Sequence, residues 1–400
     1  MTHVDIFRNI RYAKADRFEQ PEVQPWDGVR HAVRGPICPQ APSRLEIVQG
    51  PLAPMAQDEH CQVLSVFTPG TAGTSGTAGR RPVMVFIHGG GFVTGGGELP
   101  WHDGDKLAAE QDVVVVSLTY RLGVFGYLQF PSDSGPSLAM ADQVAALTWI
   151  QAHISDFGGD PRNVTVFGQS AGGFSIVAML SWGHGGSLFH RAILHSGSNG
   201  MARTRAEGDR ISRMFNAELG QDPRSAGVDA ILAAQGRLAA TLNQLAVWAP
   251  ISPDTPIGSA VDIAAGWCKD DALPFVLLQA HVEPAPGTET RYADATREMN
   301  GLFEGGARSL ARDMSAQGKR VSLFRFDWQS PATGLGACHC IDLPFLLGSA
   351  DAWRAAPAMA GANWDDIEPL GQRMRRIWAD FARGNDEGLQ AAGEPVKLLP

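Results

Sequence analysis

The chain has 400 residues, 44% of them hydrophobic and 19% charged, and 33 basic against 42 acidic side chains leave a formal charge of −9. That profile excludes a disordered chain and is long enough to bury a large core without disulfide or metal staples. The acidic balance excludes a general nucleic-acid binder, which needs a basic face for phosphates. The N-terminus, MTHVDIFRNIRYAKADRFEQ, has no basic segment leading into an apolar one, so it is not read as a secretory signal and a cytoplasmic location is expected. No apolar run reaches the roughly 18 residues of a membrane span, so none is expected.

In chain order, residues 82–87 (PVMVFI), 112–118 (DVVVVSL) and 164–167 (VTVF) are near-continuous apolar runs bounded by Gly and polar residues. Such runs suit strands of a parallel sheet covered on both faces. A helix is expected over 139–157, where Ala145, Leu147, Ile150 and Ile154 recur at helical steps. Later strands are expected at 192–195, 274–278 and 320–326. Residues 69–81 (PGTAGTSGTAGRR) form a low-complexity, flexible connection between two strands. Residues 200–250 read as helical cover over the sheet. An amphipathic helix over 374–381 is stopped by Gly384-Asn385. Strand and helix alternate with no clear linker, so residues 1–400 read as a single α/β domain.

Two segments carry chemistry. Gly168-Gln169-Ser170-Ala171-Gly172 fits G-x-S-x-G, directly after the strand 164–167 and before an apolar helical stretch, 174–180. That is the strand, sharp turn and helix of a nucleophile elbow, which pushes a serine hydroxyl out above a sheet. The flanking positions must be small because the serine backbone is strained and neighbouring chains pass close. The second segment, His88-Gly89-Gly90-Gly91-Phe92, also follows a strand. Three glycines let backbone N–H groups face a cavity, as an oxyanion hole requires. A phosphate loop is the competing reading, but neither the lysine of a P-loop nor the G-x-G-x-x-G spacing is present.

The five cysteines are Cys38, Cys61, Cys268, Cys338 and Cys340. An odd count in so long a chain is not a disulfide framework. Cys338-His339-Cys340 invites a metal reading. Adjacent positions rarely aim at one ion, however, and no second Cys/His pair lies at finger spacing, so no metal is expected.

Taken together, the motifs resemble those of the type-B carboxylesterases, the cholinesterase-like branch of the α/β-hydrolase fold. Pro25-Trp26-Asp27-Gly28, Ile37-Cys38-Pro39-Gln40, Glu59-His60-Cys61-Gln62-Val63-Leu64 and Tyr120-Arg121-Leu122-Gly123 match its early blocks, with departures at His60 and Gln62. Phe157-Gly158-Gly159 followed by residues 164–172 satisfies its serine signature, and Phe189-His190-Arg191-Ala192-Ile193 through Ser196-Gly197-Ser198 follows as in the family.

The resemblance implies an α/β-hydrolase fold with a central, mostly parallel twisted sheet. It makes Ser170 the nucleophile and Gly90, Gly91 and Ala171 the oxyanion-hole donors, with Gly89 shaping the loop. His339 is the histidine, because Gly336-Ala337-Cys338-His339-Cys340-Ile341-Asp342-Leu343-Pro344-Phe345 resembles the family's histidine block. His190 and His195, beside a strand, read as structural. The acid should follow a strand, and residues 273–283 have the length and shape of that block, which places Glu283 at the strand's end. Glu298, Asp294 or another acid remain alternatives. The resemblance also implies a buried Glu59–Arg121 ion pair. Cys38 and Cys61 match a disulfide position of secreted relatives, but without a signal peptide free thiols are expected.

The reaction implied is hydrolysis of small carboxylic esters through an acyl-enzyme, without metal or organic cofactor. Amidase, carbamate hydrolase or lactonase activity on the same triad is the alternative, and a non-catalytic interaction protein is a further one. The sequence leaves the oligomeric state open. Family members usually run well beyond this length. Here the segment after Glu283 holds only about a dozen residues before the helix near Ala295, where relatives carry a long helical cap. A reduced cap and a more open cleft are therefore expected. Gln169 stands where cholinesterases carry an acidic residue, and no choline-binding aromatic motif is identifiable, which favours a general bacterial-type esterase.

Overall fold

The computed structural model describes residues 3–52, 54–70, 80–253, 257, 261–390 and 396–399. Most of the low-complexity connection, residues 71–79, lies outside the described residues. Among those described, nine strands form one sheet. They are β1 (Val4–Arg11), β2 (Val63–Pro69), β3 (Arg81–Ile87), β4 (Val114–Leu118), β5 (Gly159–Gln169), β6 (Arg191–His195), β7 (Asp262–Cys268), β8 (Val321–Phe326) and β9 (Val396–Leu399). The spatial order is β1-β2-β4-β3-β5-β6-β7-β8-β9. The six strands from β4 to β8 run parallel, and the antiparallel pairs β1–β2, β2–β4 and β8–β9 close the ends.

Side chains alternate across a strand, so an unbroken apolar run feeds two cores at once. Val83, Val85 and Ile87 join one buried cluster with Val114, Val116, Val164 and Val166. Met84 and Phe86 join the other with Val115, Phe167 and Ile193. Helices α1 (Leu138–His153) and α2 (Ala171–Ser181) cover the first face. Helices α3 (Arg205–Leu219) and α4 (Val228–Leu242) pack into the same cluster. Helix α5 (Trp364–Ala382) supplies Met374, Ile377 and Trp378 to the second face. It stops as its sequence predicts: Gly384 takes φ +84°, and the N–H groups of Gly384 and Asn385 bond to the Phe381 and Asp380 carbonyls.

Two expectations fail here. Residues 274–278 are not a strand but part of helix α6, Leu273–Ala280. Its proline occupies the first turn, where no N–H is needed, and its leucines favour helix over strand. The strand that precedes it is β7, whose Ala264-Ala265-Gly266 stretch carries little β propensity. Packing dictates those small residues, since a Cβ on Gly266 would stand 2.4 Å from the Phe324 ring on β8.

Nor do Glu59 and Arg121 pair. Arg121 forks onto Asp142 of α1 at 2.8 Å through both Nε and Nη2, with both side chains buried, while Glu59 pairs with Arg17. The Arg17 guanidinium also donates to the Pro223 and Ala226 carbonyls, tying the N-terminal segment to the loop before α4. Cys38 and Cys61 are buried thiols. Burial and the neighbouring Cys38 push the Cys61 thiol well up, and Leu122 N–H donates to Cys38 Sγ at 3.2 Å.

Candidate active site

At the end of β5 the chain reverses through Ser170, at φ 55° and ψ −122°. A non-glycine residue pays on the order of 1–2 kcal/mol to sit at such a positive φ. The surrounding backbone holds it there. Ser170 N–H donates to the His195 carbonyl at 2.8 Å, and the Ser170 carbonyl accepts from Phe174 N–H at 3.0 Å. The close approach explains two glycines: a Cβ on Gly172 would lie 1.9 Å from the Ile87 carbonyl oxygen, and one on Gly197 would lie 2.1 Å from the Ser170 carbonyl oxygen. Helix α2 begins at Ala171, so its positive N-terminal end adjoins the serine.

The His88–Phe92 loop lies alongside. Gly90 has φ +111°, and a Cβ there would meet the Thr94 carbonyl oxygen at 2.0 Å. The Gly90 carbonyl accepts from Val93 and Thr94 N–H, which fixes the loop. The N–H groups of Gly90, Gly91 and Ala171 have no hydrogen-bond partner among the described residues. His88 anchors the loop from behind. Its ring stacks on Tyr120 at 4.3 Å, and its Nδ1 lies 2.7 Å from the Gly89 carbonyl oxygen. Burial, aided by the nearby His102, pushes its pKa down to about 3, so the ring is neutral.

His339 is fully buried, with Nδ1 2.5 Å from Asp271 Oδ1, itself fully buried. Asp271 follows β7 by three residues and belongs to the turn into α6. Its second oxygen accepts from Cys268 N–H at 2.9 Å. Asp270 binds the histidine loop to the same turn, donating its N–H to the Ala337 carbonyl and accepting from Ala337 N–H, both at 2.9 Å. Asn300 braces the turn from a third side through Ala272 N–H and the Lys269 carbonyl. The Asp271 carboxylate accepts a hydrogen bond from Nδ1–H, so Nε2 of His339 is an acceptor. In this structure it accepts from the Gln169 side-chain amide, 3.1 Å away. Ser170 Oγ has no hydrogen-bond partner among the described residues.

Ser170, 8% exposed, sits in the wall of a narrow cleft whose lining includes Gly90, Gly91, Phe174, Met201, Leu245, Phe275 and Phe303. The rings of Phe275 and Phe303 also pack on His339, at 5.1 and 4.9 Å. The histidine and the serine therefore share one apolar wall. Phe275 and Phe303 stand before and after the shortened segment in the chain and wall the cleft from either side of it, so its brevity does not leave Ser170 on an open surface.

The carboxylate that the structure sets against His339 is Asp271, and not Glu283, Glu298 or Asp294. Glu283 is exposed in the turn after α6, beyond that helix from His339. Glu298 and Asp294 are exposed on helix α7 (Ala293–Met299), where Asp294 pairs with Arg297. Once residues 274–278 form a helix, the end of the preceding strand moves back to Cys268, and Asp271 is the acid beside it. The Asp270-Asp271 pair behind a short apolar run was the available signal, hidden by the weak strand propensity of β7.

His195 is buried between Asp342, 2.5 Å from Nδ1, and Trp378, whose indole N–H donates to Nε2 at 2.8 Å. Those partners fix the ring's orientation and tie the histidine loop to β6 and α5. His190 Nδ1 accepts from Val164 N–H at 3.3 Å. Burial pushes the Cys340 thiol well up. Among the described residues, no group of three or more His, Cys, Asp or Glu side chains could hold a metal, and no helix is long and apolar enough to cross a membrane.

A serine on a strained strand-to-helix turn, a glycine loop beside it and a buried His–Asp pair over a mostly parallel sheet define the α/β-hydrolase class. A model of the carboxylesterase family matches residues 1–227. A probable N-octanoylanthranilate hydrolase, AqdA2, of Rhodococcus erythropolis is 36% identical over 94% of this chain and 88% of its own length. The para-nitrobenzyl esterase of Bacillus subtilis is 31% identical over 98% of this chain and 89% of its own. Among solved structures, a thermophilic PNB esterase superimposes with a TM-score of 0.80 at 29% identity, covering 99% of this chain and 90% of that one. The chain belongs to the carboxylesterase family and is a carboxylesterase.

Proposed function

We propose that Ser170 is the acylated nucleophile, that His339 is its general base and then general acid, and that Asp271 is the third member of the triad. The observation carrying this reading is the buried His339–Asp271 pair at 2.5 Å, packed against the same phenylalanines that line the Ser170 cleft. Asp271 holds the Nδ1–H tautomer, leaving the Nε2 lone pair to take a proton, and stabilises the imidazolium that forms. For attack, Nε2 exchanges the Gln169 amide for the Ser170 hydroxyl; serine–histidine hydrogen bonds are often long before substrate binds.

Ser170 Oγ then adds to the ester carbonyl. The oxygen gains negative charge beside Gly90, Gly91 and Ala171 N–H, which donate to it. The protonated His339 gives its proton to the departing alcohol. Water, deprotonated by the same ring, releases the acid and restores the serine.

The substrates are small carboxylic esters with an apolar portion, matched to the Phe174, Met201, Phe275 and Phe303 wall. Hydrolysis of an amide by the same groups is a second reading. It is favoured by the relative from Rhodococcus erythropolis, whose name specifies an N-octanoyl substrate. The test is turnover of a nitrophenyl ester and of an octanoyl anilide by wild type, Ser170→Ala and His339→Ala. Both variants should lose at least about 10³-fold in kcat on whichever substrate is turned over. Retention of wild-type turnover by Ser170→Ala would overturn the proposal.

A further inference from the structure

We propose that Arg44 makes the cleft a site for substrates that carry an anionic group as well as an apolar one; the inference rests on the reading of Ser170 as the nucleophile in that cleft. Among the described residues Arg44 is the only charged one in the cleft lining, which is otherwise apolar apart from glycines and the hydroxyls of Ser43, Thr94 and Ser170. Among the described residues its guanidinium makes one hydrogen bond, from Nη2 to the Leu245 carbonyl at 2.6 Å. Leu245 is itself in the lining, so that bond holds the fork at the cleft rim.

No acidic side chain pairs with Arg44 among the described residues. Its other N–H groups, in a fork shaped to receive two oxygens of one carboxylate, have no partner there. Several arginines elsewhere have acidic partners, while Arg203 and Arg205, outside the cleft lining, each donate to two or more carbonyl oxygens. Arg8 and Arg34 share Asp103, and Arg375 bridges Glu110 and Glu368. The protein around Arg44 lowers its pKa by desolvation, with no acidic neighbour to offset the effect. A cation in that position gains from an anionic ligand what the fold withholds. The chain's net charge of −9 repels anions at long range, so a local cation in the cleft that holds Ser170 is what would admit one.

A structural clamp alone would serve all substrates equally. A carboxylate subsite would serve only charged ones. The experiment measures kcat/KM for two matched pairs. One is 4-carboxyphenyl octanoate against methyl 4-(octanoyloxy)benzoate, with the charge on the leaving group. The other is monophenyl suberate against its methyl ester, with the charge at the acyl end. Wild type, Arg44→Met and Arg44→Glu are compared at low and high salt.

The side chain is exposed to solvent on one side, so a screened charge-assisted contact worth about tenfold is expected. Arg44→Met should lower the charged-to-neutral ratio about tenfold in at least one pair and leave the neutral ester within about twofold. Arg44→Glu should lower that ratio further, and added salt should shrink the wild-type preference. An unchanged ratio in both pairs, or an equal fall for charged and neutral members, overturns the subsite. Failure of the underlying reading looks different: Ser170→Ala would then still hydrolyse the neutral esters.

Discussion

The Gln169 amide lies 3.1 Å from His339 Nε2, on the face of the imidazole opposite its bond to Asp271. The amide occupies the lone pair that the proposed attack by Ser170 uses. Replacing it with a carboxylate would place a negative charge at this distance, which favours the imidazolium. Gln169→Glu should therefore move the acid limb of the kcat/KM profile upward by about one pH unit. A profile identical to wild type would mean that the side chain does not face the working nitrogen.

Asp271 and Glu283 separate two accounts of the acid. Asp271→Asn keeps the shape but offers an amide to Nδ1, which loses the tautomer that leaves Nε2 free. A fall in kcat of about 10³–10⁴ is expected. Glu283→Gln, at an exposed turn, should stay within about twofold of wild type, since surface substitutions away from a site change little. Steady-state kinetics on a nitrophenyl ester read both.

The glycine loop makes a steric prediction. Gly91 has φ +61° with nothing within 4 Å of an added Cβ. Gly91→Ala should fold with a cost of about 1–2 kcal/mol from the left-handed backbone alone. Gly90→Ala drives a Cβ against the Thr94 carbonyl oxygen at 2.0 Å. The loop must shift, and with it an N–H aimed at the oxyanion, so kcat should fall by about 10²–10³. Thermal melts and kinetics on the two variants test the contrast.

The fold was legible wherever one physical signal dominated. Unbroken apolar runs announced β3, β4, β5 and β6 because both faces of those strands are buried. The glycine pattern announced the turn at Ser170 because its close contacts admit no side chain. The carboxylate beside His339 was hard to read because β7 must be thin beneath Phe324. Alanine and glycine there gave no strand signal, while Phe275-Val276-Leu277-Leu278 gave a strong but helical one. The partners of Arg121 and Glu59 were equally hidden. Which acid meets which arginine depends on how α1 and the N-terminal segment dock, and spacing along the chain does not encode that.

Stability should fall with acid through the pair behind the oxyanion loop. Burial holds His88 neutral down to a pKa of about 3 and His102 down to about 4, against about 6.5 in an unfolded chain. Below pH 6.5 the unfolded chain binds protons that the folded one refuses, so the contribution of each ring is complete above that pH and drains away toward pH 4 and 3. Each contributes a slope of up to about 1.4 kcal/mol per pH unit. The urea midpoint should drop steadily from pH 6.5 to 4.5, and less steeply in His102→Gln. Equal slopes in the two proteins would contradict the assignment.

Covalent labelling decides whether Ser170 is the activated nucleophile: the purified chain is treated with a fluorophosphonate, digested and analysed by mass spectrometry for the site and rate of modification. One adduct per chain is expected, on Ser170, formed at least about 10³-fold more slowly in Asp271→Asn and His339→Ala. Modification of a different residue, or labelling of Ser170 at an unchanged rate in both variants, would contradict it.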